Sequence, residues 1–189
     1  MKNFLQIGRG IDPAALLLQI RRQPDLWKVD TYLRDYPQGP FGEVESIILR
    51  FPPRTVHETE AALAAHATHF DQHENVDQPP YKLLTEARPI VANLMRYVEG
   101  ERLGRVMVNK IAPGGVVYPH ADTPVHANYW DRFHVVLESY PGVDFRCESE
   151  HVYMPPGTIW WFQNALEHEV INRSDGDRIH MIVDIRTSK

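Results

Sequence analysis

The chain has 189 residues, 43% of them hydrophobic, which suits one domain with a buried core of its own. A formal net charge of −5 argues against an electrostatic grip on nucleic acid or an anionic membrane, which rests on clustered Lys and Arg, so a small-molecule or peptidyl substrate is the expected partner. The single cysteine, Cys147, excludes an internal disulfide framework and a zinc site built mainly from thiolates, whereas ten histidines make imidazole the metal-binding group to look for.

No run of about 18 apolar residues occurs, and Met1–Phe4 opens no signal peptide because a helix-start signal follows almost at once, so a cytoplasmic protein is expected. Asp12-Pro13, ahead of Ala14, Leu16, Leu17 and Ile20, predicts an amphipathic helix ending near Trp27. Ser46–Phe51 reads as a short strand halted by Pro52-Pro53. The alanines of His57–His73 favour a helix that Gln78-Pro79-Pro80 ends. On such a helix His66, His69 and His73 share a face, which permits a second metal; without a completing carboxylate–histidine motif they read as a solvated polar face. Ala87–Tyr97 carries Ile90, Val91, Leu94 and Met95 at helical spacing.

From Leu103 onward the texture changes to short β-rich runs separated by turn signals. These are Arg105–Ile111, Val116–Asp122, Arg132–Glu138, Asp144–Cys147, Thr158–Phe162, Glu167–Asn172 and Arg178–Ile185. The pattern predicts a mainly β protein, a sandwich or roll, with the N-terminal helices against one outer face of the sheet. The expected organisation is a single domain over residues 1–189, with a helical and mixed part at 1–102 and the core of the roll at 103–185.

His120-Ala121-Asp122 ends a predicted strand, where residues two apart point to one face, so imidazole and carboxylate can converge on one ion. His168 follows 46 residues after Asp122. Two histidines and one carboxylate make up the facial triad of non-haem Fe(II) oxygenases, which leaves coordination positions open for substrate and dioxygen. Arg178 comes ten residues after His168, beyond the turn Arg173–Gly176, and a hairpin there would set the two at nearly the same level of one sheet. Along its strand Arg178, His180, Ile182 and Asp184 alternate with Ile179, Met181, Val183 and Ile185. An arginine on the inner face of a roll requires an anion, either a cosubstrate carboxylate or an ordinary acidic side chain.

With these residues in view, the C-terminal half, roughly Leu103 to Ile185, resembles the aspartyl/asparaginyl β-hydroxylase family of Fe(II)/2-oxoglutarate-dependent dioxygenases. The matching segments are Ala112–His120, Arg132-Phe133-His134, Gly157–Phe162, Glu167–Val170 and Arg178–Asp184. The resemblance implies a double-stranded β-helix, the cupin-like jelly roll, packed against helices. It implies that His120, Asp122 and His168 bind iron and that Arg178 holds the distal carboxylate of 2-oxoglutarate. Arg132 and His134 match positions that contact the cosubstrate's other end, and Asn109 stands where the family places a small hydroxyl residue. The implied activity uses Fe(II), 2-oxoglutarate and O2 to hydroxylate an aliphatic carbon of an amino acid, a small metabolite or a protein side chain. Asp122 supplies a carboxylate that the animal members lack in this motif.

His126, Asn128 and Tyr129 fall in the loop at the expected mouth, where they either touch substrate or form a polar surface loop, and His180 shares the face of Arg178. Trp160 and Trp161 face opposite sides of their strand, one into the roll and one under the helices. Two other readings stay open: a cupin-like metalloenzyme without 2-oxoglutarate, and a non-catalytic metal- or ligand-binding module. Oligomeric state is not expressed in any pattern of the chain.

Overall fold

Alternating burial along the C-terminal strands resolves into two antiparallel sheets packed face to face. The structure is a computed structural model that describes residues 1–53, 71 and 73–188. Its strands are β1 (Phe4–Arg9), β2 (Val44–Phe51), β3 (Val76–Asp77), β4 (Arg102–Ile111), β5 (Val116–His120), β6 (Asp131–Glu138), β7 (Val143–Cys147), β8 (Glu150–Val152), β9 (Thr158–Phe162), β10 (His168–Asn172) and β11 (Arg178–Arg186). The major sheet runs β1-β9-β6-β11-β4-β2-β3 and the minor sheet β5-β10-β7-β8. This is the expected mainly β jelly roll with helices on one face.

Period-two alternation places the two cores. On β11, Ile179, Met181, Val183 and Ile185 point outward, where they pack with Leu16, Leu17 and Ile20 of α1 (Ala14–Arg21) and with Val91 and Leu94 of a longer helix at Ala87–Tyr97. The inward residues of both sheets meet between them, with Phe4, Val136, Trp160 and Phe162 on the major side and Phe145, Cys147 and Val170 on the minor side. Trp160 lies in this inner core while Trp161 packs against the helix-side core, so the two tryptophans divide as their alternation requires.

The predicted helix at Ala87–Tyr97 forms over those residues, whereas the one ending near Trp27 splits into α1 and a 3-10 turn at Pro24–Lys28. Pro24 has no N–H to give and its ring clashes with the preceding turn, which breaks the helix. The first hundred residues also contribute β1, β2 and β3, three of the seven strands of the major sheet, so that region completes the roll as well as covering it. Apart from the strand over Ser46–Phe51, this strand content is hard to read because Phe4–Arg9 holds a glycine and no clean alternation. The predicted helix over His57–His73, with His66 and His69, lies outside the described residues except Asp71 and His73. Among the described residues no helix is long and apolar enough to cross a membrane.

One expectation is corrected. β10 pairs with β5 and β7, whereas β11 pairs with β4 and β6, so the turn after Asn172 crosses between sheets and forms no hairpin. Asn172 fixes that crossing: its Nδ2 donates to the carbonyls of Ile111 and Gly176, and its Oδ1 accepts from the Ser174 hydroxyl and N–H. Arg178 therefore belongs to the sheet opposite the one that carries His168.

The N-terminal segment is tied to the roll through Gly157, whose N–H donates to Val136 and whose carbonyl accepts from Ile11. Gly157 has φ of +77°, and a Cβ there would lie 2.8 Å from the Ile11 carbonyl oxygen. Gly157→Ala should therefore destabilise the fold by about 1–3 kcal/mol, through left-handed strain and displacement of that backbone. A chemical denaturation midpoint equal to wild type would show that the segment yields freely.

Candidate active site

Three donor atoms converge at the open end of the roll. One ligand atom from each of His120, Asp122 and His168 lies within 4.8 Å of the others. His120 ends β5 and His168 begins β10, and the two are direct partners in the minor-sheet ladder. Asp122 follows two residues past His120, where its N–H donates to the Asn164 carbonyl.

Each imidazole is oriented from behind by a backbone carbonyl two residues earlier. His120 Nδ1 donates to the Tyr118 carbonyl and His168 Nδ1 to the Leu166 carbonyl, both at 2.8 Å. That tautomer leaves the Nε2 lone pair of each ring free, which is the state a metal requires. Burial holds both rings neutral: it lowers His120, and it pushes His168 down to about 4. Asp122 Oδ2 accepts from Asn164 Nδ2 at 2.7 Å and pairs with an Arg132 nitrogen at 2.8 Å, leaving Oδ1 outside both contacts. Burial alone would raise this carboxyl, but the Arg132 guanidinium outweighs it and holds Asp122 below the usual carboxylate range. The set is thus two neutral nitrogens and one anion.

Arg132, on the inner face of β6, is committed to protein partners. Besides Asp122 it meets Asp184 with Nε to Oδ1 at 2.8 Å and Nη2 to Oδ2 at 3.1 Å, and Nη2 lies 2.9 Å from His126 Nε2. Burial opposes its charge, yet the two carboxylates overcome that and strengthen its hold on the proton. His126 also lies 3.0 Å from Asp184 Oδ2. His126 itself is buried, on a helical turn at Pro124–Ala127 whose Val125 is exposed, where a polar loop was one of the two expectations.

Arg178 has the opposite situation. It is 2% exposed, and burial drives its guanidinium down to about 9. No carboxylate among the described residues pairs with it. Its Nη2 donates to His180 Nδ1 at 3.0 Å and lies 3.4 Å from His134 Nδ1, while Nε has no partner. Burial, reinforced by Arg178 itself, keeps His134 and His180 neutral. Their Nε2 atoms are also buried without partners, as is Oδ1 of Asn109, which stands opposite His180 in the β4–β11 ladder. Arg178, His134 and Asn109 line the same cavity as His120 and His168, walled by Phe41, Phe145 and Phe162.

Of the remaining expected residues, Asn128 and Tyr129 face a separate polar groove with Glu101 and Arg186. There the Tyr129 hydroxyl accepts from Arg102 and its ring stacks on His73 at 3.6 Å. Sequence reasoning assigned no role to Asn164, Asp184 or Phe41, whose ring centre lies 5.3 Å from that of His120. Asp184 had a readable signal, since it shares the face of Arg178 along β11; Asn164 and Phe41 had none.

The family model described as aspartyl/asparaginyl beta-hydroxylase matches residues 59–188, extending the resemblance well upstream of Leu103. A comparison with curated proteins finds no match. Solved structures of similar fold include a Pseudomonas putida prolyl-4-hydroxylase, with a TM-score of 0.50 and 12% identity over 99% of this chain and 94% of that one. Another is the viral collagen prolyl hydroxylase of Paramecium Bursaria Chlorella virus-1, solved as its 2OG complex, with a TM-score of 0.51 and 12% identity over 99% of this chain and 97% of that one. At such identity they speak for the fold alone. The chain belongs to the aspartyl/asparaginyl β-hydroxylase family.

Proposed function

We propose that the chain is an Fe(II)/2-oxoglutarate-dependent dioxygenase that hydroxylates an aliphatic carbon. The observation that carries this is Arg178, a wholly buried guanidinium without a protein carboxylate among the described residues, in the cavity of the metal triad. An unpaired buried charge costs several kcal/mol, so a roll that keeps one is built to receive an anion there.

The residues suit both groups. His120 Nε2, buried without a partner, matches a cation, and the His, His, Asp donor set is that of non-haem iron. Arg178 matches the distal carboxylate of 2-oxoglutarate, a planar anion that a guanidinium meets with two parallel hydrogen bonds. When bound, Fe(II) with 2-oxoglutarate supplies dioxygen activation and oxidation of an unactivated C–H bond.

The protein's own part is positioning and exclusion of water. His120 and His168 present neutral nitrogens, and their carbonyl partners keep the rings from turning. Asn164 and Arg132 hold Asp122 Oδ2, so that Oδ1 remains for the ion. His180 accepts from Arg178 and aims its guanidinium, and His134 keeps an Nε2 without a protein partner for the cosubstrate. Phe41, Phe145 and Phe162 keep the cavity dry. Arg132 acts here through Asp122, with its nitrogens already engaged. A cupin-like enzyme without 2-oxoglutarate has no use for Arg178, which is the reason to prefer the present reading.

Three outcomes are expected. Arg178→Met should leave Fe(II) content unchanged and weaken 2-oxoglutarate binding about 30-fold or more, read from the charge-transfer absorbance of the anaerobic Fe(II) protein. Equal binding by wild type and variant would remove the cosubstrate assignment. Asn164→Ala should lower Fe(II) affinity by about 10–100-fold, and Asp122→Ala by more, since it removes the triad's anion; metal retained after desalting measures both.

The third concerns acid. His134 and His180 sit well below their ordinary value of 6.5 in the folded chain, so below that pH the unfolded chain takes up protons that the folded one refuses. Stability of the metal-free protein should therefore fall as pH drops below about 6.5, each histidine contributing up to about 1.4 kcal/mol per pH unit. Urea midpoints measured from about pH 7 to about pH 4.5 would reveal this, and a flat profile would mean that the buried rings carry protons in the fold.

A further inference from the structure

Beyond Ile182 the metal cavity adjoins a second apolar cluster on the inner face of the major sheet. Its buried members are Ile48, Phe51, Met107 and Ile182, each no more than 7% exposed, and Ile182 also lines the metal cavity. Above it lies Arg105 of β4, half-buried, its guanidinium carbon 4.9 Å from the centre of the Phe51 ring. Stacking anchors a guanidinium by its face and leaves the edge with its N–H donors available. No hydrogen bond or ion pair engages that edge among the described residues. Arg105 lies between Leu103 and Val106, which pair with Ile185 and Val183 of β11, so it stands level with Asp184, the partner of Arg132. Asp184 and Asp122 are themselves held by Arg132 and are not free to turn toward it.

The two arginines differ in a telling way. Arg178 is 2% exposed, whereas Arg105 keeps partial access to solvent. We propose that Arg105 is a substrate-binding residue that holds the carboxylate of a small aliphatic acid, whose carbon chain lies over Met107 and Ile182 toward His120, Asp122 and His168. This inference rests on the oxygenase reading above and deepens it by naming a substrate class.

The test uses free L-amino acids and their matching carboxamides as probes, added to the anaerobic protein loaded with Fe(II) and 2-oxoglutarate. Binding is read calorimetrically and from the perturbed charge-transfer absorbance. At least one free acid should bind, with its carboxamide about 10- to 100-fold weaker, the loss expected when a charge-assisted pair is removed. In Arg105→Leu the acid-to-amide ratio should collapse toward one, and Arg105→Lys should restore part of it. The wild-type comparison stands whether or not the variants fold. Equal binding of acid and amide, or failure of every free acid where 2-oxoglutarate binds, overturns the assignment of Arg105 alone. A capped aspartyl peptide that binds better than every free acid also overturns it, because the carboxylate would then come from a protein side chain. Wild-type protein that binds no 2-oxoglutarate overturns the oxygenase reading and this inference together.

Discussion

Arg132 is the pivot of the metal face. Its guanidinium joins Asp122, in the loop that leaves the minor sheet, to Asp184 on the central strand of the major sheet, and so spans the opening of the roll. The arrangement is costly to bury and costly to break, since removing one partner of such a pair leaves an uncompensated charge worth about 3–5 kcal/mol. Orientation of Asp122 follows from it, and with Asp122 the chance that three donors meet at one point. The fold's stability and the geometry of the triad are linked through one side chain.

Two buried arginines on one inner face thus serve different ends, and their partners tell them apart. Arg132 has each of its three nitrogens engaged, by two carboxylates and an imidazole. Among the described residues Arg178 meets two neutral imidazoles and the Phe145 ring but no carboxylate, and each imidazole is neutral partly because Arg178 repels its proton. A neutral ring can accept from a guanidinium without cancelling its charge. In the function proposed here, that uncancelled positive field receives the cosubstrate's carboxylate.

The inter-sheet core gives this chemistry its dry surroundings. Phe162 lies edge-on to His134 and His168 and Phe145 lies tilted against His134, so the groups that would hold the proposed ion and cosubstrate are bedded in aromatic surface. Low dielectric strengthens each charge interaction in the cavity and makes each unpaired polar atom expensive. The unpartnered Nε2 atoms of His134 and His180 and the Asn109 oxygen mark where such cost is held.

Much of this was legible in the chain itself. Alternation along 178–185 and the turn residues around it specify a two-faced strand, and the His-x-Asp pair with a distal histidine marks the candidate metal site, because ligand chemistry depends on residue type and on side chains two apart sharing a face. The helix at Ala87–Tyr97 follows from local periodicity alone. Pairings between distant segments were not legible. That His168 and Arg178 lie in opposing sheets, that Arg132 spends its donors on Asp122 and Asp184, and that Arg105 lies over Phe51 all depend on which strands become neighbours. An arginine's role is set by the anion it meets, and that meeting exists only once residues far apart in the chain are packed together.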